Sequence, residues 1–221
     1  MPIEAVIFDM DGVLVDSEPY WLQSREEFAR DLGKVWTDEF QRLTMGRSTI
    51  EWAHVMHDKL ELDMSLDDIM ANIKGRVIGH FAAHMPLRPG ALEAVRIAGE
   101  NYPVGLASGS PTEIIQYVTQ HTGLDKVFRV MVYGDEIENG KPAPDIYFKA
   151  ARLLGVNPAN CIGIEDSGNG IRSLHAAGMK IIAAPSPQFP LSKELLGMAQ
   201  RVVQSMEEVT LELYKSFESG D

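Results

Sequence analysis

Two aspartates, Asp9 and Asp11, close a short apolar run in the sequence AVIFDMDG. Carboxylates two residues apart repel each other and add nothing to a buried strand, so they either close a surface turn or share a bound cation. Other apolar runs also end in polar groups: Ser108 ends VGLAS, and Glu165 and Asp166 end CIGIED. What these groups can do depends on whether the fold brings the ends of the runs together.

The apolar runs predict the strands of a parallel sheet. Each run is apolar throughout, as expected of a strand that helices cover on both faces. The predicted strands span residues 5–8, 104–107, 130–133, 162–164 and 181–184. Helical patterns lie between them at residues 112–121, 145–154 and 170–177. This alternation predicts an α/β fold with a doubly wound, Rossmann-like parallel sheet.

Residues 16–85 follow a different pattern. The segment contains no convincing strand, its apolar residues recur at helical spacing, and glycines and prolines bracket it. We therefore predict two domains. Residues 1–15 and 86–221 form an α/β domain that is discontinuous in sequence, and residues 16–85 form an inserted helical domain.

The ends of the predicted strands are the expected place for a metal. Ligands of open α/β sheets bind beyond the carboxyl ends of the strands, so the acidic residues there should meet and repel one another unless a cation joins them. An all-oxygen set with room for water suits Mg²⁺. The EF-hand pattern for Ca²⁺ does not fit, because Gly12 comes too early and no glutamate follows at the required spacing.

Two further features predict an anion site at the same edge. In GSPTE, Ser110 and Glu113 have the spacing of a helix capping box, which places Ser108 and the amide of Gly109 beside the positive end of a helix dipole. In GKPAPD, Lys141 lies just ahead of another helix, where a cation is unfavourable unless an anion lies between the two. A phosphate group would satisfy both features.

The composition limits the partners. Twenty basic and 32 acidic residues give a formal net charge of −12, which disfavours nucleic acid or an anionic membrane as a partner and leaves room for a local pocket that binds a small anion. Cys161 is the only cysteine, so neither an intramolecular disulfide nor a cysteine metal site is expected. No membrane span or secretion signal is recognisable. We expect a cytoplasmic protein; its oligomeric state is not encoded in these features and is compatible with a monomer.

Four motifs then resemble those of a known family. FDMDGVLVDSEP, ASGS, GKPAPDIY and GIEDSGNGI occur in this order and resemble the four motifs of the haloacid dehalogenase superfamily, over nearly the whole chain. The helical insert resembles the cap of the β-phosphoglucomutase-like subfamily, most of whose members are sugar-phosphate phosphatases. The whole sequence looks closest to the hexose-phosphate and 2-deoxyglucose-6-phosphate phosphatases.

The resemblance implies a role for each motif residue. Asp9 would be the nucleophile that becomes an aspartyl-phosphate, and Asp11 would act as general acid towards the leaving alcohol and then as general base for water. Ser108 and Lys141 would hold the phosphoryl oxygens, with the amide of Gly109 as a further donor.

The resemblance also implies a magnesium site. Asp9, the main-chain carbonyl of Asp11 and Asp166 would bind Mg²⁺, with Glu165 either binding the ion or ordering its waters. The expected reaction is therefore Mg²⁺-dependent hydrolysis of small phosphate monoesters, with sugar phosphates as the expected substrates.

Other activities within the superfamily are alternatives. A β-phosphoglucomutase-type mutase is the main one, but such mutases carry a histidine at the position of Trp21, and the mutase cap signature is only partly matched over residues 46–51. Dehalogenases generally lack an equivalent of Asp11. A phosphonatase needs a lysine from the insert, and nothing singles out Lys59 or Lys74. A silent binding protein would have lost a carboxylate or the lysine, and none is lost.

Substrate selection is expected from the insert. Glu18, Trp21, Arg47 and Arg76 are the candidates for facing the leaving group. Among them, Glu18 suits sugar hydroxyls, and the arginines suit a second anionic or polar group.

Overall fold

A six-stranded parallel sheet forms the centre of the protein. The structure, a computed structural model, describes residues 2–44, 47–187 and 189–218. The strands lie in the order β3-β2-β1-β4-β5-β6, and every neighbouring pair is parallel. Their bounds are β1 Ala5–Phe8, β2 Val104–Ser108, β3 Val130–Tyr133, β4 Cys161–Glu165, β5 Lys180–Ala183 and β6 Arg201–Val202. The predicted α/β parallel-sheet fold is thereby confirmed, with β6 as an edge strand that the sequence patterns missed.

Each face of the sheet has its own apolar core. Side chains of β1 alternate between the two: Val6 and Phe8 belong to one buried cluster, and Ala5 and Ile7 to the other. This alternation is the two-residue period of a strand, and burial on both sides explains why the strand is apolar throughout.

Six α-helices lie in the described part of the chain after residue 86. They are α5 Ala91–Asn101, α6 Thr112–Thr122, α7 Asp145–Leu154, α8 Gly168–Ala176, α9 Lys193–Leu196 and α10 Leu211–Lys215. Residues of α5 and α6 belong to the cluster that contains Val6, while α7 and α8 cover the other face. Helix α5, which the sequence patterns missed, connects the helical insert to β2.

Four helices lie between β1 and α5 among the residues that the structure describes there, where the insert was expected. Their bounds are α1 Glu18–Asp31, α2 Asp38–Thr44, α3 Thr49–Lys59 and α4 Leu66–Ala83. We call residues 18–83 the helical segment. Helix α4 packs against α1 and α3 within the segment and against α6 outside it. Burial of Ile69, Ile73 and Val77 on one stripe of α4 follows the spacing of an amphipathic helix.

The two connections into the helical segment run side by side. The amide of Asp16 donates to the carbonyl of Pro86, and the amide of Arg88 donates to the carbonyl of Leu14. This pairing holds the start of α1 close to the end of β1. Within the described ranges, no helix is long and apolar enough to cross a membrane.

Candidate active site

The carboxyl ends of the central strands bring the predicted acidic residues together. Asp9 directly follows β1, Glu165 ends β4, and Asp166 comes next. One carboxylate oxygen from each of the three lies within 4.8 Å of the others. Strands β1 and β4 are neighbours in register, so parallel pairing alone places these side chains at one edge.

Lys141 reaches this cluster from the loop before α7. Its ammonium donates to Asp9 Oδ1 at 2.7 Å, to Glu165 Oε1 at 2.6 Å and to the carbonyl of Ala107 at 3.3 Å. Burial alone would lower the pKa of Lys141, but attraction to Asp9 and Glu165 outweighs it and holds the pKa well above its ordinary value. Lys141 therefore stays charged and offsets part of the acidic cluster.

Glu165 is the most fully hydrogen-bonded carboxylate of the cluster. Its Oε1 accepts from Lys141 and from the Tyr147 hydroxyl, and its Oε2 accepts from the amide of Asp166 and from both the amide and the hydroxyl of Ser167. Burial raises the pKa of Glu165, yet Lys141 and these hydrogen bonds reverse the shift and lower it. Because its lone pairs are occupied, Glu165 is better suited to anchoring the site than to binding an ion directly.

Asp9 and Asp166 are in the opposite situation. Burial, reinforced by Glu165 and Asp11, raises the pKa of Asp9 to about 8, although Lys141 opposes the shift. Burial, followed by the charges of Glu165 and Asp9, also raises the pKa of Asp166 well above its usual range. Asp9 Oδ2 and the carboxylate of Asp166 have no hydrogen-bond partner among the described residues. Carboxylate oxygens without a protein partner, buried on Asp9 and half-buried on Asp166, fit a hard divalent cation such as Mg²⁺.

Two glycines allow the carboxylates to lie where they do. A Cβ on Gly12 would come within 1.9 Å of Asp166 Oδ2, and a Cβ on Gly170 would come within 1.8 Å of the Glu165 carboxyl carbon. Gly12 also has a positive φ of 75°. Any side chain at either position would displace an acidic group of the cluster.

Asp11 is held apart from the cluster by hydroxyl groups. Ser17 donates to its Oδ1 at 2.5 Å, and Ser108 and Ser110 donate to its Oδ2 at 3.0 and 2.7 Å. The predicted capping box at α6 is therefore wrong. Ser110 turns towards Asp11, and the amide of Thr112 instead donates to a carboxylate oxygen of Asp135.

The groups expected to hold phosphate surround the same edge. Ser108 is fully buried at the end of β2, while Gly109, the next residue, is exposed. The Ser108 Oγ also accepts from the amide of Ser110 at 3.1 Å. The structure thus brings Asp9, Asp11, Ser108, Lys141 and the β4 carboxylates into one site, with Gly109 at its open side.

Comparison with known proteins agrees with this geometry. The sequence matches the haloacid dehalogenase-like hydrolases over residues 3–178. The chain belongs to that family. It is 33% identical over 181 residues to the phosphorylated carbohydrates phosphatase of Thermotoga maritima, covering 81% of this chain and 84% of that one. Hexitol phosphatase B of Escherichia coli strain K12 is 31% identical over 201 residues, covering 84% and 85% of the two chains.

A solved structure shows how far the similarity in fold extends. The β-phosphoglucomutase of Clostridium difficile superposes with a TM-score of 0.79 at 26% identity, covering 98% of this chain and 99% of that one. Relatives that are phosphatases, together with the family match, support a phosphoric monoester hydrolase.

The four substrate candidates lie in different surroundings in this family member. Glu18 begins α1 next to Ser17 and accepts from the Gln41 amide at 2.7 Å. Trp21 is buried in the helical segment, with its ring centre 6.0 Å from that of Trp52. Arg47 is exposed just before α3, and Gly46, in the partly matched mutase signature, lies outside the described residues.

Arg76 pairs with acidic residues near the C-terminal end of α1. Its guanidinium pairs with Asp31 at 2.8 Å and lies 3.8 Å from Glu27. These contacts join α4 to α1, so the structure gives Arg76 a helix-pairing role and not an open anion-binding one.

Sequence reasoning missed three residues of the site. Tyr147 had the spacing of a core residue on α7, and its hydroxyl donates to Glu165 at 2.9 Å. Ser17 lies inside the first motif but had no role assigned to it, and Ser110 was predicted to cap a helix. Only the place of Ser17 in the motif was a usable signal, because a hydroxyl in the same motif as two carboxylates is an available donor.

Proposed function

We propose that this protein is a Mg²⁺-dependent phosphatase that transfers the phosphoryl group of small monoesters, sugar phosphates among them, to Asp9 and then to water. One observation carries the proposal: the two carboxylates of the first motif, Asp9 buried and Asp11 half-buried, lie in different surroundings. Asp9 is paired with Lys141 and keeps Oδ2 without a partner, whereas Asp11 is held by three serine hydroxyls. Separate environments allow one to act as nucleophile and the other as acid and base.

In the first half of the reaction, an Asp9 carboxylate oxygen attacks phosphorus and the bond from phosphorus to the ester oxygen breaks. Asp11 gives its proton to the departing alkoxide, so the alcohol leaves neutral. Lys141, with its charge fixed by Asp9 and Glu165, offsets the negative charge that the phosphate brings to the carboxylates.

In the second half, Asp11 removes a proton from water as its oxygen attacks phosphorus. The bond between phosphorus and Asp9 breaks, which restores the carboxylate and releases inorganic phosphate. The serines that hold Asp11 keep its carboxyl near the reacting oxygen in both halves.

The metal site is proposed for Asp9, Asp166 and the main-chain carbonyl of Asp11. Glu165, whose oxygens are occupied by protein donors, would orient the site through Lys141 and the amide of Asp166. Mg²⁺ bound there would supply the positive charge that lets an anionic carboxylate approach an anionic phosphate.

Hydrolysis is favoured over phosphoryl transfer between sugar positions by what surrounds Asp11. Its hydrogen bonds come from serines, and Trp21, at the position where mutases of the resemblance carry histidine, is 7% exposed and packs against Trp52. No imidazole therefore controls the proton of Asp11 among the described contacts.

The helical segment is proposed to be a cap domain. It is inserted between the two parts, residues 1–15 and 86–221, of a discontinuous α/β domain. It would cover the site, exclude water and present Glu18 and Arg47 to the leaving group. The single cysteine, fully buried, supports action in a reducing compartment, for which we propose the cytoplasm.

The test is hydrolysis of p-nitrophenyl phosphate with and without Mg²⁺. We expect turnover that depends on Mg²⁺ and disappears in Asp9→Asn. Turnover that is independent of the metal, or unchanged in Asp9→Asn, would overturn the proposal. A parallel assay for isomerisation of β-glucose 1-phosphate should show no glucose 6-phosphate; rapid isomerisation would favour a mutase.

A further inference from the structure

A buried hydrogen-bonded chain links the start of α1 to α2. Gln41 is 8% exposed, and its Nε2 donates to Glu18 Oε1 at 2.7 Å. Its Oε1 accepts from the Trp36 indole at 2.9 Å and from the Arg25 guanidinium at 3.3 Å. Trp36 and Arg25 are also buried, at 7% and 5% exposure.

This arrangement fixes the orientation of the Gln41 amide. An indole N–H and a guanidinium are donors only, so both require the amide oxygen of Gln41 on their side. The amide nitrogen must then face Glu18, where its hydrogens can be accepted only by the carboxylate. Trp36 and Arg25 thus determine that Gln41 presents a donor to Glu18.

The aromatic residues around Arg25 keep this chain rigid. The guanidinium carbon lies 5.5 Å from the ring centre of Trp21 and 5.6 Å from that of Trp52. A cation between two indole faces in a buried site is held by both charge and packing. Burial raises the pKa of Glu18, and the charge of Arg25 and the Gln41 hydrogen bond work against that shift.

Glu18 is therefore held in one orientation, with one carboxylate oxygen still able to accept a hydrogen bond. Gln41 occupies Oε1, and Oε2 has no hydrogen-bond partner among the described residues. Glu18 directly follows Ser17, whose hydroxyl holds Asp11, and the charges of Asp11 and Asp16 are close enough to raise its pKa. A carboxylate oxygen beside the group that protonates the leaving alcohol accepts hydrogen bonds and repels anions.

Basic residues on α4 do not offset this negative charge, because protein carboxylates already engage them. Lys74 pairs with Glu113 of α6 at 2.7 Å, and Arg76 pairs with Asp31. A second phosphate on the leaving group would thus meet Glu18 without a free cation from α4. The exposed Arg47 lies before α3, and among the described residues it forms no ion pair with Glu18.

We propose that Gln41 is a positioning residue that aims Glu18, and that this pair selects leaving groups which are uncharged and hydroxylated over those which carry a second phosphate. The inference rests on the proposed phosphatase function. Gln41 does not touch the substrate: it fixes the direction of Glu18, and Glu18 accepts hydrogen bonds from the hydroxyls of the alcohol.

The experiment measures kcat and KM on three substrates: p-nitrophenyl phosphate, which has no hydroxyl in its leaving group, a hexitol 6-phosphate, and a hexose 1,6-bisphosphate. The variants are Gln41→Met, which removes the amide, and Gln41→Glu, which keeps the size and the acceptor for Trp36 and Arg25 but sets a repelling carboxylate in place of the donor to Glu18. Glu18→Gln removes the charge directly. Glu26→Gln is the matched control, because Glu26 lies exposed on the same helix.

We expect the parent to prefer the hexitol monophosphate to the bisphosphate by tenfold or more in kcat/KM. Both Gln41 variants should raise KM for the hexitol ester about tenfold, the effect of losing a hydrogen bond to a charged group, with kcat nearly unchanged. Glu18→Gln should reduce the ratio of kcat/KM for the hexitol monophosphate to that for the bisphosphate. Turnover of p-nitrophenyl phosphate should stay within about twofold in the two Gln41 variants, as should all activities of Glu26→Gln.

The outcomes separate this inference from the function on which it rests. Equal losses on the aryl and hexitol esters in both folded Gln41 variants would overturn the positioning role and leave the phosphatase intact. A parent that prefers the bisphosphate would overturn the selectivity. If the parent with Mg²⁺ hydrolysed none of the three esters, both proposals would fall. Thermal melting of each variant shows whether it is folded, and if Gln41→Met does not fold, Gln41→Glu carries the test.

Discussion

The acidic cluster at the sheet edge and the hydrogen-bonded chain of Glu18, Gln41, Trp36 and Arg25, here called the Glu18 network, hold buried charge in different ways. At the sheet edge, Asp9 and Glu165 are delivered by adjacent strands, and Lys141 crosses between them. In the helical segment, Glu18 is held by Gln41, which comes from another helix and is itself fixed by Trp36. The first arrangement leaves carboxylate oxygens free for a cation, and the second leaves one free for a hydroxyl.

Because of this difference, we expect mutations in the two regions to affect different properties of the enzyme. Carboxylates at the sheet edge repel one another, so removing one relieves repulsion while it removes chemistry. The members of the Glu18 network are hydrogen-bonded to one another, so removing one leaves a buried partner unsatisfied. Mutations at the sheet edge should therefore act on the rate, and mutations in the network should act on substrate affinity.

The largest effect is expected from Asp9→Asn. Loss of the nucleophile should reduce Mg²⁺-dependent kcat about a thousandfold or more, as the steady-state rate on an aryl phosphate would show. Without metal, the variant should melt at or above the temperature of the parent at pH 8, because it removes a buried repelling charge. Asp63→Asn, at an exposed site, is the control for both measurements. A variant that keeps its rate would remove Asp9 from the chemistry.

The glycines beside the acidic cluster give the next largest effect. Gly12→Ala should displace Asp166 and lower activity by about a hundredfold, the usual consequence of misplacing a reacting group by an ångström. Gly178→Ala is a matched control, since Gly178 has a similar φ of 71° and a Cβ there would meet nothing within 4 Å. The control should lose stability without losing activity. Equal activity losses in the two variants would mean that strain, and not the contact with Asp166, is responsible.

Metal binding should depend on pH through Asp9. The folded-state pKa of Asp9, about 8, exceeds the ordinary value of 3.8. Protonation of Asp9 therefore contributes stability to the metal-free folded protein. That contribution is fully present below pH 3.8 and is lost as the pH rises through 8. Mg²⁺ requires the deprotonated carboxylate, and its affinity should therefore rise with pH between about 6 and 8, by up to tenfold per pH unit for each proton displaced. The increase in melting temperature that Mg²⁺ produces, measured across this range, checks the sign. If Mg²⁺ raised the melting temperature less at pH 8 than at pH 6, the raised pKa of Asp9 would be contradicted.

The smallest effect is expected at the contact between α4 and α6. Glu113→Gln breaks the ion pair with Lys74, whose partly exposed geometry is typically worth only about 0.2–1 kcal/mol. Unfolding in urea should therefore show a small loss of stability that fades at high salt. The activity on an aryl phosphate should change by less than about threefold. Glu100→Gln, which breaks an exposed pair within α5, is the comparison.

The fold was accessible from sequence where the signals are local. Apolar strands buried on both faces have an unambiguous composition, so the first strand agrees with the prediction at both ends. The bounds of the third strand, a half-buried edge strand, also agree. The two-residue strand β6 carries too little pattern to be recognised, and α5 had no distinctive motif. Capping at α6 was misjudged because Ser110 found a stronger acceptor in Asp11, on a distant part of the chain.

The site residues likewise divide into those that local sequence patterns predict and those that they do not. Asp9, Asp11, Ser108, Glu165 and Asp166 could be singled out because they lie at or just after the ends of strands of recognisable pattern, and Lys141 because it lies just ahead of a helix. Tyr147 could not, because a tyrosine on the apolar face of a helix looks the same whether or not its hydroxyl meets a carboxylate. Arg76 was a reasonable anion-binding candidate until its pairing with Asp31 was seen.

By itself, the sequence determined that a parallel sheet delivers acidic groups, a hydroxyl and a lysine to one edge, since strand composition and motif order are local properties of the chain. Only the tertiary structure decided which oxygen of each carboxylate is occupied and which is free. Asp11 is satisfied by serines 6, 97 and 99 residues away, and Glu18 by Gln41, 23 residues away. Hydrogen bonds across such distances depend on how whole elements pack, and no local pattern encodes them.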